Sequence, residues 1–209
     1  MQVPPERMER WLAGFAERHG YTSHTATPEA VTVTAADGAR AVCHVPFPPL
    51  RVDDSLPYSG LLAHAAKNRL VGVILVRRGG YAAGVFDGPV LRVSKVGSRH
   101  VQGRTAAGGQ SQQRFARRRE KQAREAFAAA ADVAARVVAP HAARLDAVVL
   151  GGDQAAVDRV MDDPRLTPLR DLVVAGRLAV PDPKQAVLED APRQFRAVRI
   201  HLTESAAQG

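Results

Sequence analysis

Met8, Trp11, Leu12 and Phe15 recur at spacings of three and four, the period of one apolar stripe on an α-helix. They predict a helix over residues 4–19, stopped by Gly20. Val31–Thr34 and 41–45 then alternate or run apolar around Asp37-Gly38, a turn pair that joins antiparallel strands. Pro46, Pro48 and Pro49 end that hairpin. Residues 46–59 read as a proline-containing connection, and 61–69 as a short helix. Residues 70–76 are apolar and β-branched, 81–86 return after Arg77-Arg78-Gly79-Gly80, and 90–96 follow Asp87-Gly88. This is the pattern of a three-stranded meander.

Beyond the meander the pattern changes. Residues 97–111, GSRHVQGRTAAGGQS, hold four glycines and little apolar periodicity. A structureless connection of about 15 residues is uncommon in a compact domain and usually functional. From Gln112 to Ala139 the chain is rich in Ala, Arg, Gln and Glu, which predicts a long helix ended by Pro140. Ala116, Ala123, Phe127, Ala130, Ala134 and Val137 form its apolar stripe. Residues 146–150 read as a buried strand, and 154–161 as a helix behind Asp153 as N-cap. The pattern over 169–180 is ambiguous, a short helix starts at Asp182-Pro183, and 195–202 alternates as a final strand. Strands mixed with helices predict an α/β or α+β fold around one mixed β-sheet flanked by helices. The expected organisation is an N-terminal helix and hairpin over 1–60 packed on the main domain, a catalytic domain over 61–205, and a frayed tail over 206–209.

Charge sharpens this picture more than composition does. The 209 residues are 45% hydrophobic and 24% charged, an ordinary globular balance. The single cysteine, Cys43, excludes an internal disulfide. The start MQVPPERMERWLAGF has charges and prolines where a secretory signal needs an apolar run. No stretch reaches the roughly 18–20 apolar residues that span a bilayer. A soluble, cytoplasmic protein is the expectation. The chain carries 29 basic and 21 acidic residues. Ten of the bases lie between Arg92 and Arg124 with one acid, Glu120, which leaves 19 bases against 20 acids elsewhere. The whole positive excess therefore sits in one segment, the footprint of a polyanionic partner such as nucleic acid.

Most catalytic signatures are missing. The seven histidines show no metal-ligand spacing, and there is no phosphate-binding glycine loop or serine elbow. No metal and no cofactor are expected. Gly151-Gly152-Asp153 reads as a tight turn with an N-cap rather than an anion site, and Asp162-Asp163 as capping or solvated acids. What remains is Gly108-Gly109-Gln110 in the basic loop. Two glycines free the backbone for positive φ and close approach. Gln110 adds an uncharged amide and its own backbone N–H.

The run Gly108-Gly109-Gln110-Ser111-Gln112-Gln113-Arg114-Phe115-Ala116-Arg117-Arg118-Arg119 resembles the catalytic loop and following helix of archaeal and eukaryotic class I peptide-chain release factors. It resembles more closely the Vms-like branch of peptidyl-tRNA hydrolases, which includes actinobacterial members. The specific likeness covers residues 97–124, and a looser likeness of element order covers about 60–205. The resemblance implies a release-factor middle-domain fold with a protruding Gly-Gly-Gln loop and a long basic helix. It implies hydrolysis of the peptidyl-tRNA ester, with Gly108, Gly109 and Gln110 as the tip placed in the peptidyl transferase centre. Arg99, Arg104, Arg114, Arg117, Arg118, Arg119, Lys121 and Arg124 would contact ribosomal RNA and tRNA, mainly at phosphates. Phe115 is expected to pack against the sheet and set the exit angle of the loop.

The implied partners are the large ribosomal subunit and peptidyl-tRNA, with no membrane, no DNA, and the protein acting as a monomer. Release factors commonly carry a basic residue before the glycine pair, where this chain has Ala107. Residues 41–47, AVCHVPF, share a cysteine and phenylalanine spacing with a codon-reading motif, but Ala41 stands in place of its tyrosine. Codon-independent release from stalled complexes is therefore expected rather than stop-codon reading. Two alternatives are cleavage of tRNA near its 3′ end and a non-catalytic ribosome- or RNA-binding module.

Overall fold

In the computed structural model, residues 1–77, 79–98 and 111–204 are described, with the side chains of all but 111–119 among them. The chain forms two compact units, Met1–Asn68 with Pro192–Gly209, and Arg69–Ala191. The mixed α/β character is as the pattern predicts, but there are two five-stranded sheets, one in each unit.

The first unit contains β1 (Gln2–Val3), α1 (Pro5–His19), β2 (Thr22–Ala26), β3 (Ala30–Ala35), β4 (Arg40–His44) and α2 (Leu61–Ala66). Its antiparallel sheet has the order β1-β10-β4-β3-β2, where β10 is the last strand, Val198–Thr203. The sequence reading placed that last strand with the catalytic domain. It pairs instead with β4 and β1, Ile200 opposite Cys43 and Arg199 opposite Gln2. The pairing buries Val198 and Ile200 beside Val31, Val33, Ala41 and Cys43, under Met8, Leu12 and Phe15 of α1. Each such large apolar side chain removed from water contributes about 1.5–3 kcal/mol. The units thus divide the chain at 68/69 and 191/192, whereas the sequence reading set the first boundary at 60/61.

Burial pushes the Cys43 thiol up to about 12. The thiolate is the reactive form, so folded protein at pH 8 is expected to resist a thiol reagent. One thiol per chain should react only on unfolding, and rapid reaction of the native protein would contradict this packing.

The second unit holds β5 (Leu70–Arg77), β6 (Gly80–Asp87), β7 (Val90–Ser98), α3 (Ser111–Val137), β8 (Ala147–Gly152), α4 (Gln154–Met161), β9 (Val173–Leu178) and α5 (Gln185–Glu189). Its sheet order is β7-β6-β5-β8-β9. The meander β5-β6-β7 is antiparallel as predicted, whereas β8 runs parallel to β5, and β9 to β8. α3 supplies the long crossover that a parallel neighbour requires. The ambiguous stretch resolves into a 3₁₀ segment, Pro164–Leu172, followed by β9. Leu166 and Leu169 are both buried there, three residues apart, which is one 3₁₀ turn.

At the junction of β8 and α4, Gly152 has φ of 100° and a Cβ on it would strike the Val76 carbonyl oxygen. Only glycine fits that turn. Asp153 then accepts from the Ala156 N–H at 3.2 Å, the N-cap the pattern predicts.

Candidate functional site

The segment of greatest interest joins the edge strand β7 to α3. Gly108, Gly109, Gln110, Arg99 and Arg104 lie outside the described residues, as does the rest of 99–110. The two stems are described. β7 is antiparallel to β6, which is antiparallel to β5, so β7 ends at the same edge of the sheet as the C-terminal ends of the parallel strands β5 and β8. The connection leaves from this edge, the one where open α/β sheets hold their ligands. α3 then runs back towards the opposite edge, over β6 and β7.

The β7 stem is held by specific contacts. Gly97 lies against the ring of Tyr81, which a Cβ at that position would enter at 2.5 Å. Tyr81 in turn packs into the core formed with α3. Arg92 is engaged by Asp87 at 2.7 Å, so this member of the basic run is neutralised within the strand pair. Ser94 is within 3.5 Å of Gln185 on α5, which covers the other face of β6 and β7.

α3 divides into two halves along its length. Ala126, Ala130, Ala131, Val133, Ala134 and Val137 are buried against the sheet and α4. The predicted stripe members Ala130, Ala134 and Val137 are among them, and Phe127 is partly buried beside them. From Glu120 to Glu125 no residue is buried, and Lys121 and Arg124 are exposed. The stretch Ser111–Glu125 amounts to about 22 Å of helix at 1.5 Å per residue. At α-helical spacing, positions 114, 117, 118, 121 and 124 share one side of α3. Ala126, Ala130, Val133 and Val137 occupy the opposite side, while buried Ala131, one heptad after Arg124, marks the border between the two. Position 119 stands one heptad before Ala126, and so departs from the basic side that its neighbours share. The side chains of Arg114, Phe115, Arg117, Arg118 and Arg119 lie outside the described residues.

The acids within the basic half are Glu120 and Glu125. Lys121 and Glu125 approach only to 4.0 Å with both side chains exposed, an ion pair of small net value. Arg165, in the 3₁₀ segment, reaches Asp132 of α3 at 2.6 Å and Asp163 at 2.8 Å. Hydrogen bonds from Arg165 hold the Asp163 carboxyl down to about 2. This bridge fixes the buried half of α3 to the segment after α4. Sequence reading treated Asp163 as a capping or solvated acid; it caps the 3₁₀ segment and also holds Arg165. Asp132 and Arg165 carried no local signal, being an interaction between distant elements.

A shallow groove of about 320 Å³ lies beside α3, lined by Arg124, Phe127, Ala131, Arg159, Asp162 and Asp163. It joins no nucleophile to a base. Among the described residues, no group of three or more His, Cys, Asp or Glu could hold a metal ion, and no helix is long and apolar enough to cross a membrane. The described site is thus a basic rod, a sheet-edge stem and no preformed acid–base pair.

Comparison with known proteins bears on this arrangement. The family model of the Actinobacteria/chloroflexi VLRF1 release factor matches residues 69–201. No curated protein matches the chain. Among solved structures, the archaeal translation termination factor aRF1 aligns at 19% identity and a TM-score of 0.46, covering 78% of this chain and 51% of that one. The Vms1 mitochondrial localization core aligns at 9% identity and a TM-score of 0.48, covering 93% and 81%. This chain spans about half the length of the archaeal factor.

Proposed function

Since this chain belongs to the Actinobacteria/chloroflexi VLRF1 release factor family, we propose that it is a codon-independent peptidyl-tRNA hydrolase. It frees nascent peptide from stalled ribosomes or large subunits. One observation carries the reading: within the family match, Gly108-Gly109-Gln110 sits in the connection from β7 to the basic half of α3.

The chemistry follows from those residue types. A water oxygen attacks the carbonyl carbon of the ester that links the peptide to the terminal ribose of tRNA. Negative charge develops on the carbonyl oxygen, and the backbone N–H of Gln110 donates to it. The side-chain amide of Gln110 holds the water in line. The bond to the ribose oxygen then breaks, the peptide leaves as a carboxylic acid, and the ribose oxygen takes the proton given up by water. One preorganised donor at a developing oxyanion is worth about 10²–10³ in rate, and orientation of the attacking water supplies more. An ester is activated enough that the tip needs no charged nucleophile.

Arg114, Arg117, Arg118, Lys121 and Arg124 dock the tip on ribosomal RNA and on the acceptor arm of tRNA. Phosphate contacts position without reading sequence, as a factor acting on any peptidyl-tRNA requires. Codon reading gains no support from residues 41–47, because Ala41 and Cys43 are both fully buried in the first unit.

The test is incubation with purified large subunits that carry labelled peptidyl-tRNA. The expected products are free peptide and tRNA with an intact CCA end. A tRNA shortened at its 3′ end would assign nuclease activity instead. Binding without any product would leave a docking module.

A further inference from the structure

The first unit has a sheet face that none of the chemistry above uses. α1 and α2 cover one face of the β1-β10-β4-β3-β2 sheet. Alternation sends Thr32 and Thr34 of β3, Arg40 and His44 of β4, and Arg199 and His201 of β10 to the other. All six are exposed or only partly buried. Arg199 lies directly opposite His44. His44 and His201 meet ring to ring, with 3.3 Å between Nε2 and Nδ1.

Among the described residues, the paired positions of these strands send no acidic side chain to this face. Asp37, in the turn between β3 and β4, is directed to His19 of α1 at 2.8 Å, on the covered side. Among the described residues, neither Arg40 nor Arg199 has an ion-pair partner. At the rim, Tyr21 is 84% exposed. Its carbonyl accepts from the Ala36 N–H, which extends the pairing of β2 with β3 by one residue. It therefore continues the outward alternation of Ser23 and Thr25.

We propose that this open face is a second RNA-contacting surface, which takes the phosphodiester backbone of ribosomal RNA on Arg40 and Arg199 and stacks an unpaired base on Tyr21. That the RNA is ribosomal rests on the function proposed above. The surface itself rests only on the sheet. Charge complementarity selects the occupant. Two guanidiniums without counter-charges, a neighbouring imidazole pair and a bed of threonine hydroxyls all donate to phosphate oxygens. An exposed tyrosine beside them offers the stacking platform that single-stranded RNA uses. His44 is held below its usual range by desolvation first, and then by His201 and Arg199.

Anisotropy of a labelled 20-nucleotide single-stranded RNA, titrated with the full chain at several salt concentrations, tests this directly. Arg40→Glu/Arg199→Glu should lower affinity at least about tenfold and reduce the salt slope by about 1.4, roughly 0.7 for each phosphate of the single strand left without its guanidinium. Tyr21→Ala should lower affinity about fivefold or more, with the slope unchanged. Arg40→Gln/Arg199→Gln, checked for wild-type melting temperature, guards against a folding artefact and should reproduce the slope change. RNA affinity and slope equal to wild type in the folded Gln pair would overturn the proposal. So would retention of wild type, but not of the Glu pair, on anionic lipid vesicles with no effect on RNA.

Release from large subunits by wild type separates the two readings. Peptide release together with unchanged RNA binding by the Arg40/Arg199 pair removes this surface and leaves the function. Absent release together with weakened binding by the pair does the reverse.

Discussion

Gln110→Ala is expected to lower peptide release from large subunits by about 10²-fold or more, while binding to those subunits stays at the wild-type level. The variant keeps the backbone N–H that meets the oxyanion, and loses only the amide that places water. Misplacing one reactant by about an ångström costs on the order of 10²-fold, which corresponds to about 2.7 kcal/mol of barrier. Gly109→Ala should be at least as damaging, because a Cβ narrows the backbone conformations and the close approach that a glycine pair allows. Neither change alters charge, so electrostatic docking is untouched. Single-turnover release of labelled peptide, measured beside sedimentation with subunits, gives both quantities from one preparation. Release by both variants at the wild-type rate would end the catalytic assignment. Loss of release together with loss of binding would show that the loop serves docking rather than chemistry.

Much of the second unit was legible because its signals are local. The strands β5, β6 and β7 announce themselves by β-branched runs between glycine-containing turns, and α3 by a 3.6-residue stripe that changes into a basic run. α4 was read with its bounds because Asp153 caps it next to a glycine turn. The first unit was less legible for equally physical reasons. β2, Thr22–Ala26, is an edge strand with no buried residue, so no apolar alternation marks it. β1 is two residues long. β10 alternates clearly, but local pattern cannot say that Ile200 will lie opposite Cys43, 157 positions earlier. The second sheet was missed for that reason. At the candidate site, the glycine–glutamine run and the bases were singled out by motif and charge, and the run itself lies outside the described residues. The Asp132–Arg165–Asp163 bridge was not, because an ion pair between elements leaves no periodic trace. The bases of the open sheet face were likewise scattered over separate strands, and only pairing gathers them.

The second large effect concerns docking. Arg117→Glu, Arg118→Glu and Lys121→Glu, combined, are expected to weaken binding to large subunits by at least tenfold at about 0.1 M salt. The slope of log affinity against log salt should fall by about 3, since each phosphate contact contributes close to one unit. Lys121 is exposed, and from Glu120 to Glu125 no residue is buried. The substitutions should therefore leave the melting temperature within a few degrees of wild type. Release should fall in parallel with occupancy and recover at saturating protein, because the tip itself is intact. That recovery separates docking from chemistry, since a variant lacking Gln110 gains nothing from higher concentration. Arg165→Ala, in the 3₁₀ segment that pairs with Asp132 of α3, is the complementary control. It breaks the bridge that ties the buried half of α3 to the 3₁₀ segment, so it should act through stability and leave the salt slope alone. A triple variant that bound with unchanged slope would place the RNA contacts elsewhere on the chain, whatever the net charge of the segment.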